Sequence, residues 1–270
     1  MKFILSILIA ALMIPTCSKA QSKVSKAQLQ QVVKLSKEGQ TDKVKAKIDS
    51  LRKVVTVKDT NYVTLLGLSE EINARANYYE AAIRDDEEII KLWPSTEVGG
   101  LGYIGQYKAM IGDLDGAIAA YTRLQALDKS KVEIYDYLAS LYNQSGKYHE
   151  AIGMLDSKPV KDRAPQDLYQ YSLAYFNLNL PDSAKPRIDV LIKYTGGDFQ
   201  SDILGAQIYA ALGDKKKACE YISKAIALIT ETKMEDRMKE KPARVQAYYF
   251  VKETLKQIAI ARELKTKVCE

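Results

Sequence analysis

The sequence predicts an all-α protein made of helical hairpins that stack on one another, and a regular period is the main evidence. Four alanines recur at intervals of 34, 33 and 34 residues: Ala117, Ala151, Ala184 and Ala218. Four residues after each of them, one helical turn away, stands a bulky side chain: Tyr121, Leu155, Ile188 and Ile222. No segment shows a convincing strand pattern. A fixed period of this length, with a small residue one turn before a large one, is typical of helical-hairpin repeats.

Residues 1–20 have the pattern of a secretory signal peptide. Lys2 provides a positive start, residues 3–14 are apolar apart from one serine, and Ala20 is the small residue before the expected cleavage point. The apolar run is shorter than the about 18 residues that a membrane-spanning helix needs. We therefore predict export, most simply to the periplasm, with secretion as an alternative.

Cys17 allows a second interpretation of the same segment, a lipid-anchored amino-terminal cysteine. In a lipoprotein signal, a leucine and two small residues precede the cysteine. Here Ile14-Pro15-Thr16 precede Cys17, and proline fits that pattern poorly. We therefore favour plain cleavage, and we expect membrane association only if Cys17 is lipidated.

Residues 21–96 predict two degenerate hairpins. In the first, a break at Gly39-Gln40 separates two apolar stretches. In the second, the apolar first helix near Leu65 is out of register by about one residue with the pattern that Ala82 and Pro94 mark. We expect both segments to form helix pairs because their apolar residues recur at helical spacings.

Residues 97–232 contain four clear units, and the unit at 132–163 illustrates their construction. Its first helix carries four residues on one face: Tyr135, Leu138, Ala139 and Tyr142. Gly146 should end this helix, because glycine adopts the left-handed conformation of a helix terminus. The small Ala139 and Ala151 should let the two helices approach closely, and overpacking such a contact typically costs ~1–3 kcal/mol.

These residues resemble the tetratricopeptide repeat, which pairs a Leu-small-x-x-Tyr helix with an Ala-x-x-x-bulky helix. The resemblance covers about residues 98–232, and four units in register make it specific. It implies a right-handed α-solenoid of about six hairpins. The first helices of such a solenoid line a concave groove, which in the family takes an extended peptide or a partner's helix.

Residues 233–270 predict a charged loop followed by a capping helix. The chain is highly charged from 231 to 244 and includes Pro242, whereas apolar residues at spacings of three and four form a stripe over 247–264. An array of hairpins leaves its last apolar face open. A one-sided helix over roughly 243–267 should close that face.

Cys219 and Cys269 lie outside the signal peptide, but helix geometry argues against a disulfide between them. Cys219 lies roughly 11 residues before the predicted end of its helix, and Cys269 about 26 residues into the last one, so an antiparallel pair would leave them about 20 Å apart. A disulfide requires Cα atoms within about 7 Å. We therefore predict a buried Cys219 and an exposed Cys269 that is available for an intermolecular bond.

No pattern indicates catalysis, a cofactor or a metal, and we predict that the protein is not an enzyme. His149 is the single histidine, and a metal site needs several clustered ligands. Gly99-Gly100 and Gly102 suit the loop and loose start of a helix better than a phosphate-binding site, and Gly196-Gly197 suits a turn between repeats. The run Asp85-Asp86-Glu87-Glu88 suggests either a cation site or a solvated face. We favour the solvated face, because successive residues on a helix point in different directions.

The charge balance argues against nucleic acid as a partner. Without Lys2 and Lys19 the chain has 38 basic residues (40 − 2) and 34 acidic ones, a net charge of +4, and no arginine stripe alternates with aromatic residues. Residues 21–60 nevertheless hold ten basic and four acidic residues, next to the hairpin with the acidic run. This contrast either stabilises the contact of the two hairpins, attracts an acidic partner or is an ordinary solvated surface, and we favour the last.

Eight residues are predicted to line the groove: Tyr103, Gln106, Asp136, Ser140, Asn143, Tyr169, Phe176 and Gln207. All but the aspartate are neutral polar or aromatic, which suits hydrogen bonding and stacking. The Lys/Asn/Arg set with which some family members hold a carboxyl terminus is missing. For Tyr169 and Phe176, packing in the core is the alternative to lining the groove.

Together these features predict an exported, non-enzymatic scaffold that binds a protein or peptide partner in its concave groove. The alternative is a self-associating or lipid-anchored subunit of a cell-envelope assembly, acting through the charged amino-terminal hairpin or Cys269. The sequence leaves the oligomeric state open.

Overall fold

A computed structural model describes residues 24–38, 40–55, 57 and 59–270. The predicted signal peptide and Cys17 lie outside the described residues. Within them the structure consists of fifteen α-helices and two short 3₁₀ helices with the turns between them and contains no strand, which confirms the predicted all-α fold. None of the described helices is both long and apolar enough to cross a membrane.

The first compact unit extends to Tyr107 and contains two hairpins and most of a fifth helix. Its helices are α1 (Lys26–Lys37), α2 (Thr41–Arg52), α3 (Thr60–Arg75), α4 (Tyr79–Leu92) and α5 (Glu97–Ile111). Ser25 caps α1 by accepting a hydrogen bond from the Gln28 backbone, and the Gln28 side chain accepts one from the Ser25 backbone in return. The two degenerate hairpins of the sequence are therefore helix pairs with a common apolar core.

The second compact unit begins at Lys108, near the end of α5, and contains the remaining repeat helices. These are α6 (Leu114–Leu127), α7 (Glu133–Gln144), α8 (Tyr148–Ser157), α9 (Pro165–Asn177), α10 (Pro181–Thr195), α11 (Phe199–Ala211) and α12 (Lys215–Glu231). In this unit α7 and α8, α9 and α10, and α11 and α12 are packed helix pairs joined by short segments.

The periodic alanines lie where the hairpin helices touch. Four of them are fully buried, with 0 % of their surface exposed: Ala117, Ala151, Ala184 and Ala218. Gly146 follows α7 with a φ of 75°, and the Lys147 backbone donates to the Tyr142 carbonyl in the same turn. Only glycine takes this left-handed conformation without steric cost, so it marks the end of α7 as predicted.

The segment after α12 differs from the predicted loop and single helix. It forms α13 (Met234–Lys239), α14 (Ala243–Gln246) and α15 (Tyr249–Cys269). The charged residues that suggested a loop stabilise α13, since Glu235 pairs with Lys239 one turn later and with Arg262 of α15. The long terminal helix α15 packs on α11 and α12.

The prediction that Cys219 and Cys269 are unpaired is wrong. The two residues form a disulfide with Cα atoms 5.0 Å apart; Cys219 is half-buried and Cys269 is exposed. The prediction placed the start of the last helix level with the end of α12, whereas α13 and α14 intervene. From Cys219 to the end of α12 is 12 residues (231 − 219), and α15 spans 20 steps (269 − 249). Antiparallel α15 therefore starts about 12 Å beyond the end of α12, which brings Cys269 level with Cys219.

Candidate functional site

The eight predicted groove residues lie on the first helices of four hairpins. Tyr103 and Gln106 are on α5 within the first unit, and the other six are in the second. Helix α7 carries Asp136, Ser140 and Asn143, helix α9 carries Tyr169 and Phe176, and helix α11 carries Gln207.

In the first unit, Tyr103 and Gln106 are exposed, Tyr103 with 36 % of its surface. The Tyr103 ring stacks on Tyr107 with 6.2 Å between centroids, and Tyr107 stacks on Tyr79 at 5.6 Å. The Tyr107 hydroxyl donates to a carboxylate oxygen of Glu70 on α3. Tyr103 is therefore the exposed end of a row of stacked tyrosines. This row is held by Tyr79 of α4 and by the hydrogen bond to Glu70 of α3.

A buried carboxyl lies beside this row. Asp86 on α4 is 5 % exposed, and its Oδ2 atom accepts no hydrogen bond within the described part of the chain. Burial raises the pKa of Asp86 to about 8, and the negative charges of Glu70, Asp85 and Glu87 add to that effect. The prediction of a solvated face is therefore wrong for Asp85 and Asp86, because the position one turn after the fully buried Ala82 also faces the interior.

Charge complementarity between the first two hairpins is used inside the first unit. Arg52 at the end of α2 binds Asp85 at 3.1 Å and Glu88 at 3.0 Å. The Tyr62 hydroxyl donates to Glu88 at 2.6 Å, and the Asn73 amide donates to Asp85 at 3.1 Å. Of the three interpretations of the charge contrast, these contacts support the first, in which the charges stabilise the contact of the two hairpins.

In the second unit, Asp136 belongs to a buried ion cluster. Lys158, 3 % exposed at the end of α8, donates to Asp136 at 2.6 Å and to both oxygens of Asp167 at 3.0 and 3.1 Å. Desolvation opposes the charge of Lys158, but these hydrogen bonds outweigh it and raise its pKa. Because the cluster joins α7, the end of α8 and α9, the Asp136 carboxylate holds neighbouring hairpins together.

Asn143 has a similar role. It is 6 % exposed, and its amide nitrogen donates to the Gln170 carbonyl at 3.0 Å and to the Gln170 side chain at 2.9 Å. Ser140, which is half-buried, accepts a hydrogen bond from Gln144 within the same helix at 3.0 Å. Helix α7 thus uses Asn143 to contact α9, whereas Ser140 makes only a local contact among these hydrogen bonds.

Replacing Asn143 by alanine should destabilise the protein by about 1–2 kcal/mol, because two buried hydrogen bonds to Gln170 are lost. Urea unfolding measures this change. The matched control is Gln144→Ala on the same helix, whose exposed side chain bonds only Ser140 among the described contacts. Equal stability of the two variants would contradict the linking role of Asn143.

Tyr169 and Phe176 pack against the apolar core of the last two hairpins. Both are half-buried, and the cluster that they contact includes residues of α10, α11, α12 and α15. Burial raises the pKa of Tyr169, and the carboxylates of Asp198 and Glu253 contribute to the increase. Gln207 is half-buried on α11. The sequence predicted that the terminal helix covers the last hairpin, but its apolar stripe did not reveal that Glu253 comes near Tyr169 of α9.

The described residues contain no group of three or more histidine, cysteine, aspartate or glutamate side chains placed to hold a metal ion. His149 is exposed at the start of α8.

Comparison with solved structures relates the chain to repeat proteins. A tetratricopeptide repeat protein from Parabacteroides merdae matches with a TM-score of 0.66 at 13% identity, over 91% of this chain and 98% of the other. The C-terminal part of a TPR repeat-containing protein from Cytophaga hutchinsonii matches with a TM-score of 0.57 at 17% identity, over 89% and 95%. The Pseudomonas aeruginosa protein pilF matches with a TM-score of 0.54 at 14% identity, over 80% and 96%. No protein-family model and no curated protein matches the sequence.

The chain has the tetratricopeptide repeat fold. Tyr169 and Phe176 lie on α9, the first helix of its hairpin. The terminal helix α15 packs on both helices of the last hairpin. A Cβ atom at Gly112, in the turn before α6, would lie 3.2 Å from the Tyr249 Cβ at the start of α15. The helix therefore extends from that turn, past Tyr169, to Cys219 on α12.

Proposed function

We propose that the protein is an exported, non-enzymatic scaffold that binds a segment of a protein partner on the inner face of its tetratricopeptide hairpins. One observation carries this proposal: the amphipathic helix α15 packs on α11, a first helix of the kind that lines the inner face in the family, and its Glu253 interacts electrostatically with Tyr169 of α9. A surface that binds one amphipathic helix by apolar contact is suited to bind another.

The inner face of the first unit supports the same function. Tyr103 and Gln106 are exposed on α5, and the tyrosine ring is held in place by stacking on Tyr107. A rigid tyrosine offers a large contact area and a hydroxyl at a low cost in conformational entropy, which is why such residues are frequent in protein interfaces.

Two features support export. Residues 1–20 have the composition of a signal peptide, and Cys219 is bonded to Cys269. Disulfides form and persist in oxidising compartments such as the periplasm and are rare in the cytosol. The proposed location is therefore outside the cytosol.

Site-specific photocrosslinking in the native cell tests the proposal. A photoreactive residue in place of Tyr103 or Gln106 should form a crosslink to the same protein partner. The matched control is the same residue in place of Glu87, which is exposed on the second helix of its hairpin. The mass of the protein purified from these cells should correspond to a chain that begins at Gln21.

A partner that crosslinks equally from Glu87, or no protein crosslink from either inner position, would argue against binding on this face. A mature chain that begins at Met1 would argue against export.

A further inference from the structure

We propose that the Cys219–Cys269 disulfide locks α15 onto the inner face of the second unit, and that its reduction lets an amphipathic helix of a partner replace α15. This inference rests on the proposed function and adds its regulation. The occupant of the face in the oxidised protein is α15 itself.

The first argument is that α15 has a one-sided apolar stripe. Its buried residues recur at spacings of seven, three and seven: Val251, Ile258, Ala261 and Val268. Exposed charged residues stand between them, among them Lys252, Lys256, Arg262 and Lys265. The contact therefore consists of small and β-branched side chains that another amphipathic helix can reproduce.

The second argument is that, with the disulfide left aside, polar contacts hold α15 only weakly. Arg262 pairs with Glu235 of α13, but the arginine side chain is 59 % exposed. Exposed ion pairs of this kind contribute about 0–1 kcal/mol. The Cys269 sulfur also lies within 3.9 Å of the Ser223 hydroxyl, a weak contact at the surface. The covalent bond is thus the one strong polar or covalent tie among the described contacts of this helix.

The third argument is that the disulfide anchors the second end of α15. The amino-terminal end of this helix is connected to α12 through α13 and α14, and the bond from Cys269 to Cys219 ties its other end to the same helix. With the bond intact, α15 is therefore connected covalently to the second unit at both of its ends. With the bond reduced, α15 competes for the face only as a tethered segment, with an effective concentration of roughly millimolar.

The bond is placed so that a dithiol reductant can reach it, because Cys269 is exposed whereas Cys219 is half-buried. One thiolate of the reductant attacks the Cys269 sulfur, which forms a mixed disulfide and releases the Cys219 thiolate, and this thiolate takes up a proton. The second thiol of the reductant then attacks the mixed disulfide. Cys269 leaves as a thiol, and the reductant ends as its own disulfide.

Two measurements on the full chain test this inference. Hydrogen exchange over residues 249–268 should become at least tenfold faster in protein reduced with dithiothreitol and in the Cys219→Ser, Cys269→Ser variant than in oxidised protein. The matched control is the buried helix α7, whose exchange should stay protected in all three samples and so show that the repeats remain folded.

The second measurement uses a fluorescent peptide of residues 249–270 that carries Cys269→Ser. It should bind the reduced protein and the double variant at least tenfold more tightly than the oxidised protein. The same peptide with Ile258→Asp and Ala261→Asp should not bind, because both side chains are buried in the contact.

Unchanged exchange of α15 on reduction would overturn the lock, and faster exchange without peptide binding would overturn the replacement. Neither result depends on the crosslinks from Tyr103, which lies in the first unit. Failure of the lock and failure of partner binding are therefore distinguishable.

Discussion

Replacing both Cys219 and Cys269 by serine is expected to destabilise the second unit by about 4 kcal/mol, because the disulfide no longer restricts the unfolded chain. The bond joins residues separated by 50 positions, and the entropy of closing so long a loop is large. For a unit of this size the melting temperature should fall on the order of 10 °C. Thermal unfolding followed by circular dichroism measures the change.

Two comparisons make this result specific to the disulfide. Wild-type protein with a reductant should unfold like the double variant, and the double variant should not respond to the reductant. Ser223→Ala removes a hydroxyl 3.9 Å from the Cys269 sulfur without touching the bond, and it should change the melting temperature little. A double variant that melts like oxidised wild type would show that the bond does not stabilise the fold.

Replacing Asp86 by leucine is expected to stabilise the first unit, on the order of 3 kcal/mol at pH 8. Asp86 is buried with one unsatisfied oxygen, and it stands four residues after Ala82. The corresponding position of the clear repeats holds a buried Tyr121, Leu155, Ile188 or Ile222. Leucine removes the cost of a desolvated carboxyl and restores the apolar contact of the repeat. Urea unfolding at pH 5 and pH 8 measures the gain.

The pH dependence follows from the raised pKa. An unfolded aspartate loses its proton near pH 4, whereas folded Asp86 keeps it up to about pH 8. The folded state thus binds more protons in this window, so the contribution of Asp86 to stability is greatest below pH 4 and is lost as the pH rises to 8. Glu70 on α3, Tyr103 and Tyr107 on α5, and Asp85 and Glu87 on α4 surround the group.

The gain in the free energy of unfolding that Asp86→Leu gives over wild type should therefore be larger at pH 8 than at pH 5. Asp86→Asn should remove the same pH dependence but should not restore the apolar contact. Lys91→Gln, at an exposed position of the same helix, is the control and should behave like wild type. A gain from Asp86→Leu that is equal at both pH values would contradict the raised pKa.

The predicted groove shows the limit of sequence reasoning within a repeat. Helical spacing placed Asp136 and Asn143 on one face of α7 correctly, because both lie on the same helix. Spacing did not reveal that Lys158 and Gln170 occupy their polar atoms. These partners lie 22 and 27 residues away along the chain, and only the packing of hairpin on hairpin brings them together. Tyr103 and Gln106 lie on the surface. Their exposure could be predicted from helical spacing, because that prediction did not require knowledge of a distant partner.

The sequence by itself determined the all-α repeat fold, because its determinants are local. Ala139 and Ala151 are twelve residues apart (151 − 139), and a single tight turn at Gly146 brings their helices into contact. The tertiary structure alone decided that α15 extends from the turn at Gly112 to Cys219. It also decided that Cys219 bonds to Cys269 and that Asp86 is buried. These features depend on where α15 and α4 pack against distant parts of their own units. Small shifts in the start and register of each helix determine that packing, and no local sequence pattern encodes those shifts.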